Sequence, residues 1–335
     1  MKLSDLTYDF PEELIATTPS RPTRVMFVDP AGNPSEITVS DLINKIPAGD
    51  ILVLNDTKVL KRRVFVKSAD SQDLEILFLE ELPDGRQKVL FPSKKYKVGD
   101  DIALPNGSKM KLLEKGLPQI VQVTPSLTEA DFEKFGELPL PPYIQKARDA
   151  RHNVQADESW YQTAWAQKPG SFAAPTASLH FSDADLVKLQ EKGVKVLKIT
   201  LHVGLGTFLP VKVENLNDHK MHAEVYDVPE AVWADIQKAK ANESKIWALG
   251  TTVTRTLETV ARTKHLSGTS DLLLKEGSEF LVVDRLMTNF HQPESTLLAL
   301  VSGFSSLANV KKNYAWAIER KFKLFSYGDL SIWLK

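Results

Sequence analysis

Between Gly170 and Phe181 the chain reads GSFAAPTASLHF. Ser171, Thr176 and Ser178 supply hydroxyls, His180 an imidazole, and little else in the run has bulk. Hydroxyl and imidazole groups donate, accept and move protons, and small residues let backbone approach a ligand closely. A buried strand would be rich in branched residues and an amphipathic helix would repeat near 3.6, so the run reads as a pocket wall, with a tight turn as the alternative. Comparable polar residues follow three apolar runs further on. They are His202, Gly204, Gly206 and Thr207 in LHVGLGTF, Thr251, Thr252 and Arg255 in TTVTR, and Thr288, Asn289 and His291 in RLMTNFHQPEST. Any one has a structural explanation: an N-cap for Thr252, a turn for Asn289, a satisfied loop histidine for His291. Several sharing one edge of a sheet argue for a site.

The elements that would hold these residues alternate. Ser182, with Asp185 three residues on, predicts a helix N-terminus, the helix ends near Gly193, and VKVLKITLHV follows as an apolar strand. Pro229 opens a helix to about Ala241, IWALG is a strand, TTVTRTLETVAR a helix, EFLVVD a strand and STLLALVSGF a helix. This alternation predicts a mostly parallel sheet with helices on both faces and a ligand crevice at the strands' carboxyl ends. Residues 60 to 122 differ. Short alternating runs such as VFVKS and DLEILFLEEL are broken by Asp84-Gly85, Gly99-Asp100 and Asn106-Gly107, which predicts a small antiparallel barrel or sandwich inserted into the α/β unit.

Composition narrows the chemistry. The chain has 335 residues, 42% apolar and 25% charged, with a net charge of −1 and no cysteine. Disulfides, thiolate nucleophiles, iron–sulfur clusters and cysteine zinc sites are therefore excluded. No apolar stretch has the length of a membrane span and the start MKLSDLTYDF lacks a signal core, so a cytoplasmic protein is expected. The glycines of GLG lack the third glycine and the following helix of a dinucleotide fingerprint, and neither a GxSxG elbow nor a P-loop is present. His219, His222 and Glu224 in HKMHAE lack a third nearby histidine, which favours hydrogen bonding to a ligand or a helix start over zinc. Lys58, Lys61, Arg62, Arg63 and Lys67 fall in ten residues without an acid, and Lys94, Lys95 and Lys97 form a second basic group, each readable as a phosphate contact or a solvated strand face.

In order, LSDLTYDFPEELIA, LNDTKV, LPLPPYI, WYQTAWA, GSFAAPTASLHF, TLHVGLGTFLPV, HKMHAE, LGTTVTRTLE, VDRLMTNFHQPEST and FSYGD resemble the S-adenosylmethionine:tRNA ribosyltransferase-isomerase family of queuosine biosynthesis over nearly the whole chain. The resemblance implies a three-layer α/β domain, residues 1–58 and 150–335, carrying an inserted small antiparallel β-barrel, residues 59–149. It implies transfer of the ribosyl part of S-adenosylmethionine, a co-substrate rather than a bound cofactor, to 7-aminomethyl-7-deazaguanine at the tRNA wobble position. Epoxyqueuosine-tRNA, adenine and methionine would result. Another S-adenosylmethionine-dependent tRNA-modifying enzyme and an inactive tRNA-binding relative are the alternatives.

Set against that chemistry, His180, His202 and His291 are candidate bases, and Thr176 and Asn289 further catalytic candidates. Thr207, Thr251, Thr252, Arg255 and Asp284 are candidate contacts for S-adenosylmethionine. Trp160, Tyr161, Trp165 and Phe181 offer aromatic faces for its sulfonium. Lys58, Arg62, Arg63, Lys94 and Lys95 are candidate phosphate contacts, with the barrel gripping the anticodon arm. The chain departs from the family's pattern at Ser178, where a glycine is usual, at Gln292 and Glu294 beside His291, in FKLFSYGD, and in SADSQDLEIL, where a Thr-Gly-Gly hairpin is usual.

Overall fold

The computed structural model describes all residues except 20, 69–70, 148–153, 205, 207–208 and 210. Its strands are β1 (Arg24–Val28), β2 (Pro34–Thr38), β3 (Ile51–Asn55), β4 (Thr57–Val59), β5 (Arg63–Lys67), β6 (Asp73–Glu81), β7 (Gln87–Leu90), β8 (Asp101–Ala103), β9 (Lys109–Glu114), β10 (Gln119–Thr124), β11 (Lys168–Ser171), β12 (Lys195–Leu201), β13 (Glu224–Asp227), β14 (Ile246–Leu249), β15 (Ser267–Ser270), β16 (Arg285–Asn289) and β17 (Leu330–Leu334). The helices are α1 (Val39–Lys45), α2 (Glu129–Phe135), α3 (Pro142–Ala147), α4 (Val154–Trp160), α5 (Asp183–Glu191), α6 (Glu230–Ala241), α7 (Thr251–Thr263), α8 (Thr296–Phe304) and α9 (Leu307–Glu319). The chain forms two compact units. One comprises Met1–Val59, Pro141–His152 and Ser159–Lys335, the other Leu60–Leu140 and Asn153–Glu158.

In the larger unit a nine-stranded sheet runs β15-β13-β12-β3-β14-β16-β17-β1-β2. Its centre, β12-β3-β14-β16, is parallel, while β13, β15, β17 and β2 bring antiparallel pairings to the flanks. The sheet is thus mixed rather than mostly parallel. Strand β3 is buried along its whole length, as its uninterrupted ILVL requires. Leu52 and Leu54 meet Leu42 of α1 and Leu186 and Leu189 of α5 on one face. Ile51 and Val53 alternate to the other face, which α7 covers, so helix, sheet and helix form three layers. The Ser182 hydroxyl accepts from Asp185 N and Asp185 accepts from Ser182 N, closing the capping box that starts α5.

One expected strand is absent. EFLVVD, residues 279–284, lies outside any strand, and the strand begins at Arg285. Its donors are taken by Glu258 of α7, wholly buried, whose carboxylate accepts from the backbone N–H groups of Leu281 (2.8 Å), Val282 (2.9 Å) and Val283 (3.0 Å). With those amides engaged, residues 281–283 have no N–H left to donate to a neighbouring strand.

The smaller unit is a six-stranded antiparallel barrel-like sheet in the order β5-β6-β7-β10-β9-β8. Alternate residues turn inward, so Val64, Ile76, Phe78, Val89, Met110, Leu112 and Val121 form its core with Phe132 of α2. Among the described residues no helix is long and apolar enough to cross a membrane.

Candidate active site

The larger unit holds a cavity of about 670 Å³, open to solvent, at the carboxyl ends of the central strands. Val203 and Gly206 reach it from the end of β12, Gly250, Thr251 and Thr252 from the start of α7 just after β14, and Thr288, Asn289 and His291 from the end of β16. This is the crevice expected of an open α/β sheet. A further wall is Ala173–Ala177, the middle of GSFAAPTASLHF, and Tyr143 and Tyr161 add aromatic surface.

The small residues of that wall have identifiable tasks. A Cβ at Gly170, whose φ is +152°, would lie 2.8 Å from the ring of His202, so only glycine lets the two pack. Ser171 Oγ donates to the Ala173 carbonyl (2.7 Å) and accepts from Val203 N (2.9 Å), tying the wall to the end of β12. Thr176 donates to Asn289 Oδ1 at 2.9 Å. Asn289 Nδ2 in turn donates to His180 Nε2 (3.0 Å) and to the Phe325 carbonyl (3.1 Å).

The three sequence-predicted histidines separate. His180 is buried behind Asn289, outside the cavity lining, and its Nδ1 meets Thr23 Oγ1 at 3.1 Å. Burial, and secondarily the Arg21 charge, brings its pKa down to about 3, so it is neutral and a feeble base. His202 also lies outside the lining, held by Thr57 Oγ1 at 2.7 Å from its Nδ1, and burial lowers its pKa despite Asp56. His291 does line the cavity, yet its Nε2 is engaged with Thr288 Oγ1 (2.8 Å) and burial takes its pKa to about 3.

Of the predicted cofactor contacts, Thr251, Thr252 and Arg255 are on the wall. Arg255 forms an ion pair with Glu224, which also accepts from Gly204 N at 3.0 Å; both side chains are buried. Burial lowers the Arg255 pKa to about 10, which leaves the guanidinium charged at neutral pH. Three other candidates sit elsewhere. Asp284 lies at the amino end of β14, accepting from Ile246 N (2.9 Å) and Lys240 Nζ (3.0 Å). Trp165 and Phe181 belong to the core between sheet and helices, with Trp165 Nε1 donating to the Asn55 carbonyl. Of the aromatic candidates only Tyr161 reaches the cavity, while Trp160 stacks edge-on with Tyr327. Thr207 lies outside the described residues.

The basic run is largely spent on pairing within the smaller unit. Lys61 meets Glu158 (2.8 Å), Arg62 meets Glu129 and stacks 4.2 Å from the Phe132 ring, and Arg63 is buried against Glu137 (3.4 Å). Burial withdraws Arg63 from any phosphate. Lys94 and Lys95 are exposed on a short 3-10 turn, and Lys58, in the larger unit, is exposed on β4.

The sequence profile described as queuosine biosynthesis protein matches residues 3–332. The chain belongs to the queuosine biosynthesis family. A relative from Sulfurihydrogenibium sp. is 39% identical over 336 residues, 98% of each chain, and one from Paraburkholderia phytofirmans is 42% identical over 348 residues, 98% of this chain and 97% of its own. Both are named S-adenosylmethionine:tRNA ribosyltransferase-isomerase. The crystal structure of an S-adenosylmethionine tRNA ribosyltransferase from Thermotoga maritima is similar with a TM-score of 0.55 and 28% identity, covering 98% of this chain and 99% of that one.

Within this member of the queuosine biosynthesis family, sequence reasoning did not place Tyr143, His219, His222 and Glu224 on the same cavity wall. For the last three the signal was HKMHAE, two histidines and an acid in a run that carries no metal motif. Among the described residues no group of three or more histidine, aspartate or glutamate side chains is arranged to hold a metal ion.

Proposed function

We propose that this protein transfers and isomerises the ribosyl moiety of S-adenosylmethionine onto 7-aminomethyl-7-deazaguanine at the tRNA wobble position, releasing adenine and methionine and leaving epoxyqueuosine. The observation that carries this reading is one cavity, within the roughly 300–1,000 Å³ range of small-molecule sites, into which the polar ends of β12, β14 and β16 converge in a chain of this family.

A sulfonium acidifies the adjacent C5′ hydrogens and makes methionine a good leaving group. The Tyr161 face on the cavity wall suits the sulfonium charge by cation–π attraction. Arg255, Thr251 and Thr252 supply donors for the polar parts of S-adenosylmethionine. The base at C5′ is drawn from the wall imidazoles His219 and His222, rather than from His180 or His202, which stand behind the wall, or from His291, whose pKa burial lowers to about 3. The Thr176 and Asn289 corner adds polar contacts for the substrate. The wobble base must leave its stack to enter such a cavity, and the exposed Lys58 and Lys94 are cations on hand for phosphates.

The test is incubation with S-adenosylmethionine and tRNA bearing 7-aminomethyl-7-deazaguanine, followed by assay for free adenine and the ribosyl mass increment on the RNA. Both are expected. A methylated RNA without adenine release would identify a methyltransferase instead, and tRNA binding without either product would leave only a binding protein.

A further inference from the structure

The hydrogen bonds around Asn289 fix where the protons lie in one corner of the cavity. The Phe325 carbonyl, 3.1 Å from Asn289 Nδ2, only accepts, so an N–H points at it and the carboxamide oxygen is excluded from that position. Oδ1 therefore faces Thr176. Since a carboxamide oxygen also only accepts, the Thr176 hydroxyl hydrogen is committed to it at 2.9 Å. The second Asn289 N–H meets His180 Nε2 at 3.0 Å, which makes that nitrogen the bare one and puts the ring hydrogen on Nδ1, donating to Thr23 Oγ1. Burial keeps this imidazole neutral, so the polarity of the chain does not reverse at working pH.

Both Thr176 and Asn289 line the cavity. What they offer there is lone pairs: Thr176 Oγ1 with its hydrogen turned away, and the remaining lone pair of Asn289 Oδ1. We infer that Thr176 and Asn289 form an acceptor-only subsite that holds an amine N–H donor of the substrate, with His180 and the Phe325 carbonyl fixing its polarity. His180 is thus a positioning residue. The inference rests on the function proposed above, whose substrates carry such donors in three places: the exocyclic amine of adenine, the ammonium of the methionine portion and the aminomethyl group of the RNA base. A carbonyl or nitrile at this corner would set acceptor against acceptor and cost roughly tenfold or more in affinity.

The experiment measures binding by calorimetry to the wild type and to Thr176→Val, which keeps the shape and removes the Thr176 acceptor. The probes are S-adenosylmethionine, its inosine counterpart with a carbonyl in place of the exocyclic amine, its deaminated counterpart, and anticodon stem-loops carrying the aminomethyl or the 7-cyano form of the base. One substitution is expected to cost the wild type about tenfold and Thr176→Val less than about threefold, and the probe that behaves so identifies the donor. His180→Gln, whose Oε1 accepts from Asn289, should keep the discrimination, and His180→Leu, which leaves one Asn289 N–H without an acceptor, should weaken it. Equal penalties in wild type and Thr176→Val for all three substitutions overturn the inference, as does full discrimination in a folded His180→Leu. If His180→Leu does not fold, the Thr176→Val comparison decides alone. A wild type that binds neither S-adenosylmethionine nor the stem-loop fails at the level of the proposed function, a result distinct from binding without discrimination.

Discussion

Glu258 of α7 accepts the backbone N–H of Val282 at 2.9 Å, and its carboxylate also serves Leu281, Val283 and the guanidinium of Arg262. One fully buried acid thereby holds the segment leading into β16, whose far end carries Asn289. Glu258→Ala strands three amide donors and should destabilise the protein by roughly 3–5 kcal/mol in urea unfolding. Glu258→Gln keeps acceptors on one side only and should cost roughly half of that. A loss below about 1 kcal/mol for the alanine variant would show that the segment is held by its apolar contacts instead.

Ser178 sits wholly buried in the 3-10 turn behind the cavity wall, and its hydroxyl has no hydrogen-bond partner among the described residues. An unsatisfied buried hydroxyl costs roughly 1–3 kcal/mol, so Ser178→Ala should stabilise the protein, with a Tm higher by about 1–3 °C. Glycine would also remove the hydroxyl, but it adds backbone freedom to the unfolded chain and should gain less. A lowered Tm in Ser178→Ala would mean that the hydroxyl is satisfied by bound water.

The sequence carries the elements of this fold well where a local rule decides them. Ser182 with Asp185 marks the start of α5, and the turns at Gly85 and Gly107 mark two hairpins of the smaller sheet, because capping and turn chemistry act within a few residues; Gly99 instead lies in the link from β7 to β8, which do not pair. EFLVVD was misread because its apolar pattern is that of a strand while its amides go to Glu258, more than twenty residues away in the chain. The same distance problem affects charge. Arg62 and Arg63 look free in a run without acids, yet their partners Glu129 and Glu137 come from elsewhere in the smaller unit. At the cavity, the types of the polar residues were visible, but whether a histidine faces the ligand or the core depends on packing. His180 and His291 stand in similar motifs, and only one of them reaches the wall.

Burial takes both His180 and His291 to about 3, far below the ordinary value of 6.5. The unfolded chain therefore binds protons that the folded protein refuses, so stability is full above about pH 6.5 and is lost as the pH falls from there toward 3, by roughly 1.4 kcal/mol per pH unit for each histidine. Thermal melts should be level between pH 7 and 8 and fall steeply below pH 6. In His180→Gln the share of that slope contributed by His180 should vanish. An unchanged slope would show that the imidazole becomes charged inside the folded protein.

Arg255 and Glu224 form a buried ion pair within the cavity wall. Removing one partner leaves a buried charge, so Arg255→Met alone should cost roughly 3–5 kcal/mol of stability. The double variant Arg255→Met with Glu224→Gln removes both charges and keeps an acceptor for Gly204 N, so most of that loss should return. Affinity for S-adenosylmethionine should not return with it, if Arg255 supplies a contact as proposed. Urea unfolding and calorimetric binding on the same three proteins separate the two effects, and recovery of affinity in the double variant would reduce the pair to a structural role.

Lys94 and Lys95 are exposed, whereas Arg63 is buried beside Glu137. Each released counterion contributes roughly 0.7–0.9 to the slope of log affinity against log salt, so Lys94→Gln with Lys95→Gln should weaken tRNA binding several-fold at moderate salt and flatten that slope by about 1–2. Arg63→Gln should instead lower stability and leave the slope of the folded fraction unchanged, because its charge faces Glu137 rather than solvent. If the lysine pair were silent and Arg63→Gln flattened the slope, the smaller unit would have to open its Arg63 side on binding RNA, and the exposed turn would carry none of the grip.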